Sequence, residues 1–91
     1  MDDLWRRVVA LKGQTLKTMR GKDFTVVDVD VRDAWVAPTS SGRKRQVARI
    51  DLERALPLKS PDRQLRPSEI EARLPNLRNH SYVAALINAC A

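Results

Sequence analysis

Three aspartates form the best candidate for catalytic chemistry in this sequence. Asp28, Asp30 and Asp33 lie in "DVDVRD", and the first two would share one strand face about 7 Å apart. That spacing suits a shared hard cation if a third ligand is supplied. The acid-x-lysine partner of such carboxylates in magnesium nucleases is missing, since "VARID" offers Arg49 and Asp51 instead. We therefore predict no catalytic residue, no metal ligand and no cofactor, with a metal-dependent nuclease kept as an alternative.

Other catalytic patterns are poorly represented. His80 is the single histidine, so the spacing of a zinc site is missing, and Cys90 is the single cysteine, so an internal disulfide is impossible. The three glycines, Gly13, Gly21 and Gly42, stand alone in turn-like segments. Neither a phosphate-binding glycine loop nor a nucleophile elbow is formed by them.

Clustered positive charge is the strongest functional signal. Gly42 permits a tight turn, and arginine around it can bind phosphate oxygens in a bidentate manner. Short hydroxyl side chains precede the glycine, and a second basic cluster surrounds Gly21. The candidate nucleic-acid-binding residues are Lys17, Arg20, Lys22, Ser40, Ser41, Arg43, Lys44, Arg45 and Arg49.

The overall charge points the same way. Seventeen Lys and Arg against eleven Asp and Glu give a net charge of +6, which favours nucleic acid first and an acidic protein surface or membrane second. Twelve of the seventeen are arginine, and a GC-rich genome yields such a composition without selection for binding. The sequence has no apolar run long enough to cross a bilayer and no secretory apolar core near Met1, so we expect a cytoplasmic protein without a membrane partner.

The apolar pattern predicts the elements that position these side chains. Helical spacing of Leu4, Val8 and Leu11, followed by Gly13, predicts a helix over 2–12. The period then changes to two, which predicts four strands joined by short turns. The strands are expected at 14–19, 24–31, 35–39 and 45–50, and the turns at 20–23, 32–34 and 40–44.

The apolar residues of the second strand do not all fall on one face. Val27, Val29 and Val31 share one face opposite Asp28 and Asp30. Phe24 and Val26 fall on the aspartate face, which requires either a bulge near 26–27 or a half-covered face. We expect the open face to carry ion pairs across strands between the acids Asp28 and Asp30 and the bases Lys17 and Arg49.

The remaining sequence predicts three helices. Asp51 is placed to cap a short helix over 52–56, and the proline-rich segment 57–67 reads as an irregular strap. Ser68 and Glu71 have capping-box spacing for the next helix, and Asn79 or Ser81 would cap the last one.

These elements define the predicted fold. It is α+β, with an N-terminal helix, a four-stranded antiparallel meander, a short helix and two C-terminal helices. We expect the first and last helices to cover one sheet face. The chain 1–91 is a single domain, with a helix-and-sheet core at 1–56, a strap at 57–67 and C-terminal helices at 68–91.

The meander has a consequence for function. Turns 20–23 and 40–44 join strands one to two and three to four, so both should lie at one end of the sheet. The sequence therefore predicts a binding domain for nucleic acid, with duplex DNA favoured. Four phosphate contacts by Arg43, Lys44, Arg45 and Arg49 would give a salt slope of about −3.6.

An alternative from another class remains open. An edge strand carrying Trp35 and the alanine-rich final helix would suit a protein-interaction or dimeric regulatory module. Such a module would bind a protein partner, or a second copy of itself, with little dependence on salt.

Overall fold

The computed structural model describes residues 3–90 and shows four helices and one antiparallel sheet. The predicted α+β class and element order are confirmed. The helices are α1 (Asp3–Ala10), α2 (Arg49–Ala55), α3 (Pro67–Arg73) and α4 (His80–Cys90), with a 3₁₀ turn at Leu56–Leu58. The strands are β1 (Thr15–Lys17), β2 (Asp23–Val29), β3 (Asp33–Pro38) and β4 (Arg45–Ala48).

The sheet is a simple meander in which each strand pairs with the next one along the chain. Its order is β1-β2-β3-β4, and all three pairings are antiparallel. Pairing of β1 continues one residue further back, because Val26 N–H donates to Gln14 O at 2.9 Å. Gly13, with a φ of 87°, precedes this contact and donates to Val26 O. The left-handed conformation at Gly13 turns the chain from α1 into the sheet.

A β-bulge in β2 resolves the conflict in its alternation. Val26 lies opposite Val36 and Asp28 lies opposite Trp35, so Val27 is the extra residue. Phe24 and Val26 are fully buried, which makes theirs the core face. The predicted alternative of a bulge near 26–27 is therefore confirmed, and Val27 does not share the core side with Val29. Val29 returns to the core side only after the bulge, and Val31, beyond the strand end, is 75% exposed.

All four helices contribute to one core on the covered face of the sheet. α1 buries Leu4, Trp5 and Val8, and α4 contacts each of the other three helices. The predicted packing of the first and last helices on the sheet is confirmed. The fully buried large side chains are Phe24, Leu52, Leu65, Ile70, Leu86, Ile87, Val8, Val26, Val36, Val47 and Val83.

The open sheet face carries ion pairs different from those predicted. Lys17 Nζ lies 3.6 Å from the carboxylate of Asp23, the residue directly opposite it. Asp28 pairs instead with Lys12, at 3.3 Å, in the turn after α1. The predicted partners are wrong because Asp30 accepts from the backbone of the following turn and Arg49 begins α2 instead of extending β4.

The start of α2 corrects two predictions. Arg49 is the first residue of the helix rather than the last part of a strand, and Asp51 lies inside the first turn rather than at the cap. The residue at the cap position is Ala48, without a capping side chain. The helix ends in the 3₁₀ turn that contains Pro57.

The segment before α3 is irregular, as predicted, and is fixed by α4. The side chain of Asn88 accepts from Leu65 N–H at 2.8 Å and donates to Leu65 O at 2.9 Å. The predicted capping pair at the start of α3 is wrong. Glu69 accepts from the backbone N–H of Arg66, and the helix begins at Pro67.

Candidate functional site

The turn between β1 and β2 is closed by the side chain of Thr18. Its hydroxyl accepts from Lys22 N–H at 3.1 Å, and its own N–H donates to Lys22 O at 2.9 Å. Gly21 has a φ of 85° and donates its N–H to Thr18 O. Thr18 is buried, whereas Arg20 and Lys22 are exposed. The hydrogen bonds of the turn therefore fix the backbone that carries the two basic side chains. Thr18 was not identified from the sequence.

The turn between β3 and β4 has a similar frame. Gly42, with a φ of 68°, donates its N–H to Pro38 O at 2.7 Å. Arg43 N–H donates to Ser41 Oγ at 3.4 Å, so this hydroxyl accepts a hydrogen bond within the turn. Ser40, Arg43, Lys44 and Arg45 are all exposed.

The two turns lie at the same end of the sheet, as the strand order requires. They are linked directly, because Thr39 donates to Asp23 O through its N–H at 3.1 Å and its hydroxyl at 3.3 Å. We call the five exposed cations of these turns the basic rim. Its members are Arg20, Lys22, Arg43, Lys44 and Arg45.

A cavity of about 370 Å³ separates part of this rim from the start of α4. Arg45 lies opposite Val36 in the register and so points to the helix-covered side of the sheet. The lining residues are Thr18, Arg20, Lys22, Arg45, Asn79, His80, Ser81 and Tyr82. The structure thus brings cations from both turns to one cavity.

The α4 side of this cavity begins with an unusual backbone. Asn79 has a φ of 59° and accepts the first helical hydrogen bond from Val83 N–H at 3.0 Å. Its side chain donates to Gln46 O in β4 at 2.8 Å. Asparagine tolerates the left-handed conformation better than most residues. The capping signal at Asn79 was visible in the sequence, but its contact with the sheet was not.

Two of the candidate residues are engaged in other contacts. Lys17 forms the ion pair with Asp23 on the open face. Arg49 lies at the opposite end of the sheet, where its N–H donates to Arg32 O and its guanidinium lies 5.2 Å from the Trp5 ring centroid. Arg49 therefore does not join the basic rim, contrary to the position assumed from the sequence.

The carboxylates considered for metal binding have local partners. Arg32 N–H and Asp33 N–H donate to Asp30 Oδ1 at 2.8 Å each. These backbone hydrogen bonds lower the pKa of the Asp30 carboxyl. Within residues 3–90, no group of three His, Cys, Asp or Glu side chains could hold a metal ion.

The remaining titratable candidates have structural surroundings. Cys90 is buried, and desolvation raises the pKa of its thiol to about 11. His80 Nε2 is enclosed and has no hydrogen-bond partner in the part of the chain that the structure describes. None of the helices between residues 3 and 90 has the length and apolar character needed to span a membrane.

Comparison with known proteins gives no match, whether with family models, curated proteins or solved structures.

Proposed function

We propose that this protein is a small nucleic-acid-binding domain that contacts phosphates through the basic rim, with duplex DNA as the favoured ligand. The observation that supports this proposal most is the convergence of Arg20, Lys22 and Arg45, from two separate turns, on one cavity. Lysine and arginine contacts to phosphate supply most of the affinity of sequence-independent binding.

The cations of the rim are available for a ligand. None of the rim cations forms an ion pair within 4.0 Å with an acidic side chain among residues 3–90. These cations are Arg20, Lys22, Arg43, Lys44 and Arg45. A surface whose cations are already neutralised gains little from an incoming phosphate. The rim differs in this respect from Lys12 and Lys17, which both face aspartates.

Duplex binding is favoured over single-strand binding because no exposed aromatic side chain lies beside the rim within residues 3–90. Trp5 and Phe24 are buried, and the Tyr82 ring packs edge-on against Phe24 with centroids 5.1 Å apart. Trp35 is half-buried in the interior strand β3, opposite Gln46. Single-strand binders stack bases on exposed aromatic platforms, and the described part of the rim offers none.

A salt titration tests the proposal. If the five rim cations each displace one counterion from a 20-base-pair duplex, log Kd changes with log salt with a slope of magnitude about 4.5. Affinity measured by fluorescence anisotropy should then fall about 500-fold between 50 and 200 mM KCl. A weak, salt-insensitive signal would contradict the proposal.

A triple variant and a charge-matched control locate the binding surface. R43A/K44A/R45A should reduce the slope to a magnitude of about 1.8 while leaving the fold intact, because all three side chains are exposed. R54A/R66A/R73A removes the same charge from exposed positions in α2, just before α3 and at the end of α3, and should keep most of the slope. Equal losses in both variants would mean that net charge, rather than the rim, governs binding.

A protein-interaction module is the second candidate. The structure removes the two sequence features that first suggested it. Trp35 lies in an interior strand, and Ala84 and Ala85 of α4 are buried in the core. The observation that still favours this candidate is an exposed apolar pair, Val31 and Ile50, which line one shallow groove at the end of the sheet away from the rim. Light scattering at two salt concentrations should show a salt-insensitive dimer or complex if this candidate is correct.

A further inference from the structure

The cavity beneath the basic rim differs from the rest of the rim because two separate elements line it. The β1–β2 turn lines it with Thr18, Arg20 and Lys22, and the start of α4 lines it from Asn79 to Tyr82. Arg43 and Lys44 do not line it. A ligand in this open cavity would therefore contact the β1–β2 turn and the start of α4 together.

The charge of the cavity is positive and uncompensated. Three cations line it, and no acidic side chain among residues 3–90 does. The nearest acid in sequence, Asp23, follows Lys22 but pairs with Lys17 on the open face of the sheet. Asp23 therefore does not balance the cavity cations, and the charge of the cavity favours an anion.

The number and arrangement of the donors indicate what kind of anion. Arg20, Lys22 and Arg45 come from three chain positions, and arginine can present two parallel N–H groups to one phosphate. A phosphate monoester carries three terminal oxygens and a charge of about −1.5 to −2 at pH 7. A diester within a strand has two such oxygens and a single charge. The three convergent cations therefore match a monoester better than a diester.

The position of the cavity between a turn and a helix supports the same choice. An internal phosphate is continued by the strand on both sides, and the turn and α4 would have to accommodate both continuations. A phosphate at a strand end enters with one side free. His80 also lines this cavity, and its Nε2 is buried and has no hydrogen-bond partner within residues 3–90.

We propose that this cavity binds the terminal phosphate of a nucleic-acid strand, while Arg43 and Lys44 contact internal phosphates. The inference rests on the proposed function and adds to it a preference for phosphorylated ends. It predicts that a 5′- or 3′-phosphate increases affinity on an otherwise identical oligonucleotide.

The test uses a DNA hairpin with a single blunt end, prepared with a 5′-phosphate, a 3′-phosphate or neither. Affinity is measured by anisotropy at 100 mM KCl with the whole chain. We expect at least one phosphorylated hairpin to bind about tenfold more tightly, the gain of one further charge-assisted hydrogen bond. Equal binding of all three hairpins would overturn this inference and leave the proposed function standing. Failure of every hairpin to bind at 50 mM KCl would contradict the proposed function itself.

Two double variants assign the preference to the cavity. R20A/K22A and R43A/K44A each remove two positive charges from exposed turn positions. R20A/K22A should abolish the preference for phosphorylated ends, whereas R43A/K44A should weaken all hairpins and keep that preference. Circular dichroism checks that both variants fold. A preference that survives R20A/K22A would overturn the inference, as would tighter binding of a phosphoserine peptide than of any phosphorylated hairpin.

Discussion

At the scale of single residues, Asn88 is the side chain that fixes the irregular segment before α3. It donates to and accepts from the backbone of Leu65, a residue that is 1% exposed. Asn88→Ala removes both hydrogen bonds from a buried backbone unit, so we expect the free energy of unfolding to fall by about 1–3 kcal/mol. Urea unfolding followed by circular dichroism measures this change.

Two further variants sharpen this prediction. Asn88→Asp keeps the size of the side chain but replaces the amide donor by a second acceptor, so it should also destabilise the fold. Gln64→Ala, at the exposed neighbouring position, serves as the control and should change stability little. Equal unfolding midpoints for Asn88→Ala and Gln64→Ala would show that the double hydrogen bond contributes nothing to stability.

Cys90 gives a prediction about pH. Desolvation raises the pKa of its thiol from 9.0 to about 11, so the folded state favours the protonated form. The associated stability is fully present below pH 9 and declines as the pH rises towards 11. Because the thiolate is the reactive species, alkylation by iodoacetamide at pH 8 should be about 100-fold slower in the folded protein than in urea. Similar rates in the two states would mean that Cys90 is accessible.

At the scale of elements, the bulge at Val27 determines which residues of β2 reach the core. Val26 and Val29 both lie on the core side because Val27 adds one residue between them. Deleting Val27 leaves the order of inward and outward side chains regular, so we expect the variant to fold with moderate loss of stability. Deleting Thr25 instead would move Phe24 to the open face and should abolish cooperative unfolding. Thermal unfolding of the two deletions compares them, and equal melting temperatures would contradict the assignment of the bulge.

The same element shows what could be predicted from sequence. Alternation in "FTVVDVDV" predicted a strand and offered a bulge near 26–27 as one of two alternatives, and the structure confirms the bulge, but alternation alone did not decide between them. Local pattern gives a strand two equivalent faces, and only the packing of Phe24 and Val26 against the helices decides between them. The start of α2 was misplaced for a related reason. Arg49 continues the alternation of β4, yet its backbone already begins the helix.

At the scale of the whole molecule, the position of a cation matters more than the total charge. Arg49 lies at the sheet end remote from the rim and stacks on Trp5, the indole of which donates to Asp30 O at 2.9 Å. Arg49→Ala should lower the free energy of unfolding by about 0.5–1 kcal/mol and leave the salt slope unchanged. Lys22→Ala removes the same charge and should reduce the magnitude of the slope by about 0.9. Identical slopes for the two variants would argue against the rim.

The candidate site was partly predictable at this scale. In a meander, every second turn lies at the same end of the sheet. The turns at Gly21 and Gly42 therefore share one end, and this follows from the sequence pattern alone. The contribution of α4 was not predictable. Where that helix begins relative to the sheet depends on the path of the irregular segment before it and on packing of residues far apart in sequence, such as Asn79 against Gln46.

The bond from Asn79 to Gln46 has a consequence for the behaviour of the protein in concentrated solution. β4 is an outer strand of four residues, and its outward carbonyl at Gln46 already accepts from the Asn79 amide. A second molecule that adds a strand at this edge meets a short strand with one of its hydrogen-bond acceptors already occupied. We therefore expect fibril growth by strand addition to be disfavoured at β4. The asparagine that starts the final helix thereby leaves one fewer free acceptor at the edge of β4.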